Sequence, residues 1–204
     1  MRTFLILAAF FINNVNLIAD PMTNDLKPFL DYEQRPNAEA ESVSEVRLTR
    51  LANENELRVE GQVGAIKSGD SWVGFSGVEI ASSLFQQQDL EPESSALAFS
   101  FLKAPDDDRV ISISVIVGDK TFTKEVLGSV ISEHIKNDEV LQINADEFEE
   151  TYRGRRLGVY LLNEQVEDFS KVRIFLKRSK NGADHAEPVP FDFTIDLNEL
   201  TAIY

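Results

Sequence analysis

From Ser42 onward the chain is written in short runs of alternating apolar and polar residues, separated by turn-forming clusters. Alternation with a period of two is the signature of half-buried β-strands. "SEVRLTRL" sets Val46 and Leu48 on one face. "ELRVEGQV" sets Leu57, Val59 and Val63 against Arg58, Glu60 and Gln62. The "ANEN" between them has turn chemistry, which predicts a hairpin. "GAIKSGD" reads as the following loop. "SWVGFSGVEI" reads as one strand with two internal glycines, which mark a bulge or a close backbone approach. Farther on, "ALAFSFL" points Leu97, Phe99 and Phe101 inward, and "RVISISVIV" does the same with Ile111, Ile113, Val115 and Val117. Gly118-Asp119 turns the chain into "KTFTKEVL", a second hairpin. "EVLQINA", "KVRIFLKR" (Val172, Ile174 and Leu176 inward) and "PFDFTIDLNEL" (Phe191, Phe193, Ile195 and Leu197 inward) complete the set.

About ten short strands at near-regular spacing, with no long amphipathic helix, predict an all-β fold, an antiparallel two-sheet sandwich. One short helix fits either "ADEFEETY" or "GSVISEHI". "LKPFLDYE" (Leu26 to Glu33) is a plausible first strand that offers Phe29 and Tyr32 to the core. Ahead of it, Arg2 and the apolar "FLILAAFFI" resemble the n- and h-regions of a signal peptide ending at Ala19. The expected layout is therefore a leader over residues 1–19, an arm over 20–25 and one sandwich domain over 26–204. It implies a secreted or periplasmic protein with no membrane span in the mature chain.

The alternation breaks at Asn144–Tyr160, "NADEFEETYRGRRLGVY", where an acidic run meets a basic knot. A long loop inside a compact domain is either a functional loop or a crossover held by its own side chains. Cysteine is absent, which excludes disulfides, thiol catalysis and thiolate metal sites. Against 20 Lys+Arg stand 35 Asp+Glu, a formal charge of −15, so the surface repels phosphate backbones and no nucleic acid partner is expected. The two histidines, His134 and His185, lack metal-ligand spacing, and no hydrolase, phosphate-loop or dinucleotide motif occurs, so no enzyme is expected. Asp106, Asp107 and Asp108 offer hard oxygens to a structural calcium, as do Asp31 and Asp196, but the triplet at a hairpin tip reads first as a solvated turn, and no cofactor is expected.

The order of these motifs resembles the complex I intermediate-associated protein family and its related carbohydrate-binding modules. The resemblance lies in "LQINADEFEETYRGRRL" (Leu141 to Leu157), "VEDFSKVRIFLKRS" (Val166 to Ser179) and "VPFDFTIDLNELTAIY" (Val189 to Tyr204). "WVGFSGVEI" and "ALAFSFLKAPDDDRVISISV" extend it into the N-terminal half. Two departures stand out: "SVSEVRLTRL" replaces the family's Trp- and Gly-rich N-terminal signature, and "APDDD" its glycine-rich middle turn. The resemblance implies a galactose-binding-like jelly roll and a non-catalytic binding role, with carbohydrate as the ligand. An assembly or chaperone-like protein that holds a protein partner through the same sandwich is the alternative. Sugar binding needs a flat aromatic and a few polar groups in a preformed cleft. Trp72, Tyr152 and Tyr160, with Arg153 and Arg155, are the candidates. A core position for Trp72, and loop-locking by the arginines, are their structural alternatives.

Overall fold

The computed structural model describes residues 24–31, 39–51, 55–68, 71–88, 95–137, 141–143, 156–161, 168–178 and 187–203. The expected leader and most of the arm lie outside them. Among the described residues the chain forms β1 (Leu26–Leu30), β2 (Ala40–Ser42), β3 (Glu45–Leu51), β4 (Glu56–Val63), β5 (Ala65–Ser68), β6 (Ser71–Val73) and β7 (Phe75–Ala81). A 3-10 turn leads to β8 (Gln86–Gln88), β9 (Ser95–Lys103), β10 (Val110–Val117) and β11 (Lys120–Leu127). Helix α1 (Gly128–Asn137) follows, then β12 (Leu141–Ile143), β13 (Arg156–Leu161), β14 (Lys171–Lys177) and β15 (Val189–Ile203).

The predicted sandwich is what forms. A five-stranded sheet runs β1-β7-β14-β10-β11, and a seven-stranded sheet runs β12-β13-β9-β15-β4-β3 with β8 added beside β15. The chain crosses repeatedly from one sheet to the other, from β7 to β9, β9 to β10, β11 to β12, β13 to β14 and β14 to β15, which is jelly-roll wiring. Pairing is antiparallel except at β12–β13 and β8–β15, which run parallel. Val78, Ile80, Ile113, Val115, Val172, Ile174 and Leu176 from one sheet meet Leu57, Val59, Phe99, Phe101, Phe193 and Ile195 from the other in one core. The predicted inward residues of β4, β9, β10, β14 and β15 lie in that cluster, except Val117, which packs against it partly buried.

Four expectations change. "GAIKSGD" is not a simple loop: Ala65–Ser68 forms β5 and pairs with β2 and β6 in a small third sheet, because Ala65 and Ile66 are buried there. "SWVGFSGVEI" is two strands, parted at Gly74. The Asn144–Tyr160 stretch is not all loop, since its end is β13, antiparallel to β9 with Leu157 opposite Phe99. Phe29 is buried but outside the inter-sheet core. Its partner in register is Gly77, which faces away from the inward Val78. The helix is the "GSVISEHI" option; "ADEFEETY" and Tyr32 lie outside the described residues. Helix α1 lodges Ile131 in the core, and its first N–H groups donate to the carbonyls of Arg109 and Asp107, both at 2.7 Å.

Candidate functional site

Two surfaces carry chemistry, and the first is the outer face of the five-stranded sheet. Registers put Phe29, Gly77, Phe175, Ser112 and Glu125 in one row across all its strands. The next row holds Lys27, Glu79, Arg173, Ser114 and Thr123. Gly77 has no side chain, so rings close over it: Phe29 and Phe175 sit 5.1 Å apart, and Phe75 stacks on Phe29 at 4.8 Å. A Cβ on Gly77 would stand 2.1 Å from the Ile174 carbonyl oxygen, so only glycine fits this strand crossing.

Cations roof the rings. The Arg173 guanidinium lies 4.3 Å from the Phe29 centroid and the Lys177 ammonium 5.6 Å from that of Phe175, cation–π contacts with the aliphatic stems spread over apolar surface. Glu79 accepts from Arg173 at 2.9 Å and pairs with Lys171 at 3.1 Å. Burial pushes the Glu79 carboxyl up, but these two cations outweigh it and hold it below the usual carboxylate range. Beside them, Ser114 and Thr123 share a hydroxyl hydrogen bond at 2.9 Å.

The second surface is the small sheet. Trp72 pairs in register with Lys67 on β5, and Lys67 reaches Glu39 at 3.5 Å. The tryptophan is half-buried, not packed in the core. A node of buried polar groups stands behind this sheet. Asp31 accepts from Ser44 Oγ at 2.9 Å and from the Phe75 N–H at 3.2 Å, while Ser44 Oγ accepts from the Gly64 N–H at 2.9 Å. Arg178 donates to the Gly64 carbonyl at 3.0 Å and to the Glu187 carbonyl, and burial lowers its pKa.

Of the five sugar-binding candidates named from the sequence, only Trp72 is fully described. The Tyr160 backbone lies in β13 opposite Ala96, and its side chain is outside the described set. Tyr152, Arg153 and Arg155 lie outside it altogether. The aspartates proposed for calcium face protein donors: Asp106 holds Lys136 at 2.8 Å, Asp107 accepts from the Arg109 N–H at 3.0 Å, and Asp108 accepts from Ser129 at 3.3 Å. Asp196 accepts from the Asn198 N–H at 2.9 Å. Among the described residues no cluster of three or more His, Asp or Glu side chains gathers to hold a metal, so these aspartates do not form the ligand set a structural calcium needs. The outer-face residues Phe75, Phe175 and Arg173 were missed in the sequence. For Arg173 and Phe175 the signal is the outward half of "KVRIFLK", where Arg173, Phe175 and Lys177 alternate with the core residues.

These features define the class: a two-sheet jelly-roll sandwich bearing one charged aromatic sheet face and one half-exposed tryptophan on a small edge sheet. No family model matches the chain, and no curated protein does. Among solved structures, that of TmCBM61 in complex with β-1,4-galactotriose is similar, with 11% sequence identity and a TM-score of 0.33, covering 84% of each chain. No helix among the described residues is long and apolar enough to cross a membrane.

Proposed function

We propose that this protein is an exported, non-catalytic binding module whose ligand is a carbohydrate, with Trp72 as the stacking platform. One observation carries the reading: the chain's single tryptophan is half-buried beside the Lys67–Glu39 pair and is not part of the core. A flat ring offers its face to the C–H side of a pyranose, and a flanking ion pair fixes hydroxyls. The Asp31–Ser44–Gly64 network behind the sheet holds its backbone in place, so the platform is preorganised. Tyr152, Arg153, Arg155 and Tyr160 complete the proposed ligand set, and residues 1–19 direct export.

The alternative, a protein-binding sandwich, calls for a broad exposed apolar patch. The exposed large apolar side chains among the described residues are Val43, between β2 and β3, Leu51 at the end of β3 and Leu127 at the end of β11. Scattered singly, such residues are ordinary surface.

With one tryptophan in the chain, emission excited at 295 nm reports Trp72 alone. Titration of the mature protein with β-1,4-galactotriose and a panel of neutral oligosaccharides is expected to shift that emission saturably for one of them. Trp72→Ala is expected to abolish retention on the same glycan while the melting temperature holds. Unchanged emission across the panel, with one protein partner captured at stoichiometry, gives the role to the assembly reading.

A further inference from the structure

The outer face of the five-stranded sheet runs against the charge of the whole molecule. The chain carries −15, yet on this face Lys27, Lys171, Arg173 and Lys177 meet Glu79, Glu125 and, just ahead of β1, Asp25. On the opposite side of the sandwich the balance reverses, with Glu45, Glu56, Glu60, Asp192 and Asp196 facing Arg47, Arg58 and Lys103. Lys27 is exposed, Lys171 and Lys177 keep 32% and 36% of their side-chain surface accessible, and Arg173 keeps 21%. A basic strip on an acidic protein concentrates anions locally while the rest of the surface repels them, which orients an anionic ligand.

We propose that this face binds an extended acidic polysaccharide through its carboxylates. Three features choose that occupant. Lys171, Arg173 and Lys177 lie along one strand at intervals of about 7 and 13 Å, from a strand rise of ~3.3 Å per residue, so they address a repeating anion. The Arg173 guanidinium gives Glu79 its Nε, and its terminal nitrogens form the fork that matches a sugar carboxylate. The exposed hydroxyl of Thr123 flanks the cations on β11, held from beneath by the buried Ser114, and is placed to meet a sugar hydroxyl. An acidic peptide is less suited, because β7, β14 and β10 have sheet partners on both sides and offer it no backbone ladder. This surface is separate from the Trp72 platform and does not depend on it.

The test is affinity electrophoresis of the mature protein in gels containing polygalacturonate, its fully methyl-esterified form, or poly-glutamate. Retardation by polygalacturonate is expected, at least tenfold weaker after esterification and strongly reduced between 20 and 500 mM NaCl. Arg173→Gln with Lys171→Gln is expected to weaken it tenfold or more. Lys27→Gln, a change at an exposed side chain, is expected to weaken it about threefold and keeps the test valid if the double variant misfolds. Trp72→Ala is expected to leave it unchanged, which separates this site from the platform. Equal retardation by the esterified polymer or by poly-glutamate, or full retention of binding in a folded Arg173→Gln/Lys171→Gln protein, overturns the proposal.

Discussion

Gly77 and Gly118 are both glycines for backbone reasons, and the reasons differ. At Gly77 the obstacle is space, since a Cβ would press on the Ile174 carbonyl and on Phe175 at the crossing of β7 and β14. At Gly118 there is room, but φ is +57°, in the left-handed region that other residues enter at a cost. Gly77→Ala is therefore expected to destabilise by about 3 kcal/mol, the upper range for overpacking. Gly118→Ala is expected to cost about 1 kcal/mol, and Gly118→Asn less, because asparagine tolerates that region. Urea denaturation of the three variants checks the ranking; a Gly77→Ala protein as stable as the parent contradicts the packing described. Both glycines were visible in the sequence, one as a strand glycine and one as turn punctuation. What pressed on Gly77 was not, because Ile174 and Phe175 lie far along the chain.

At the scale of elements, the ends of β4, β7, β14 and β15 are fastened by one residue, through its side chain and its backbone N–H. Arg178, just after β14, donates to the carbonyls of Val63, Gly64 and Glu187, and its own N–H donates to the Gly74 carbonyl at 2.9 Å. The guanidinium is lodged among backbone acceptors that water reaches poorly. Arg178→Met keeps the stem and strips the donors, leaving buried carbonyls unmatched. A loss of about 2–4 kcal/mol is expected from charge-assisted bonds and uncompensated acceptors, read as a lower urea midpoint. A change below about 0.5 kcal/mol shows that the fastening is idle. Strand existence was legible here, but strand company was not. In the sequence, Leu157, Val159 and Leu161 follow three arginines and a glycine, so the alternation of β13 reads locally as the end of a loop. The parallel pairing of β12 with β13 requires a connection that local pattern does not encode.

For the whole molecule, acid response follows from the carboxylates that cations hold. Asp192 lies below the usual range, first because Arg58 donates into it in a two-pronged contact, 3.1 Å on each branch, with burial opposing and Lys103 adding to the pull. Glu125 is lowered by Lys177, and Glu79 by Arg173 and Lys171 against burial. A folded pKa below the unfolded one means that the unfolded chain binds protons first as pH falls. These contributions are thus fully present above the unfolded value of about 4, and are lost as pH drops through the lower folded values. Neutralising acids also relieves the repulsion of a chain at −15, which works the other way. The comparison of parent with Asp192→Asn isolates the paired term: their stability difference at pH 7 is expected to shrink steadily between pH 5 and pH 2. A difference constant with pH removes Asp192 from the acid response.

The sequence by itself determined the all-β class, most strands, the inward residues of β4, β9, β10, β14 and β15, and the absence of disulfides. These depend on periods of two and on residue chemistry, which are local. Only the tertiary structure decided what the other half of each strand does. Phe29 and Phe175 are as apolar as Phe193, yet they form the floor of an outer face under Arg173 and Lys177 while Phe193 fills the core. That choice is set by register. Phe29 opposite Gly77, and Gly77 opposite Phe175, put three distant segments on one side of a sheet. Pairing between residues far apart in sequence is a property of the assembled sheets, and no window along the chain contains it.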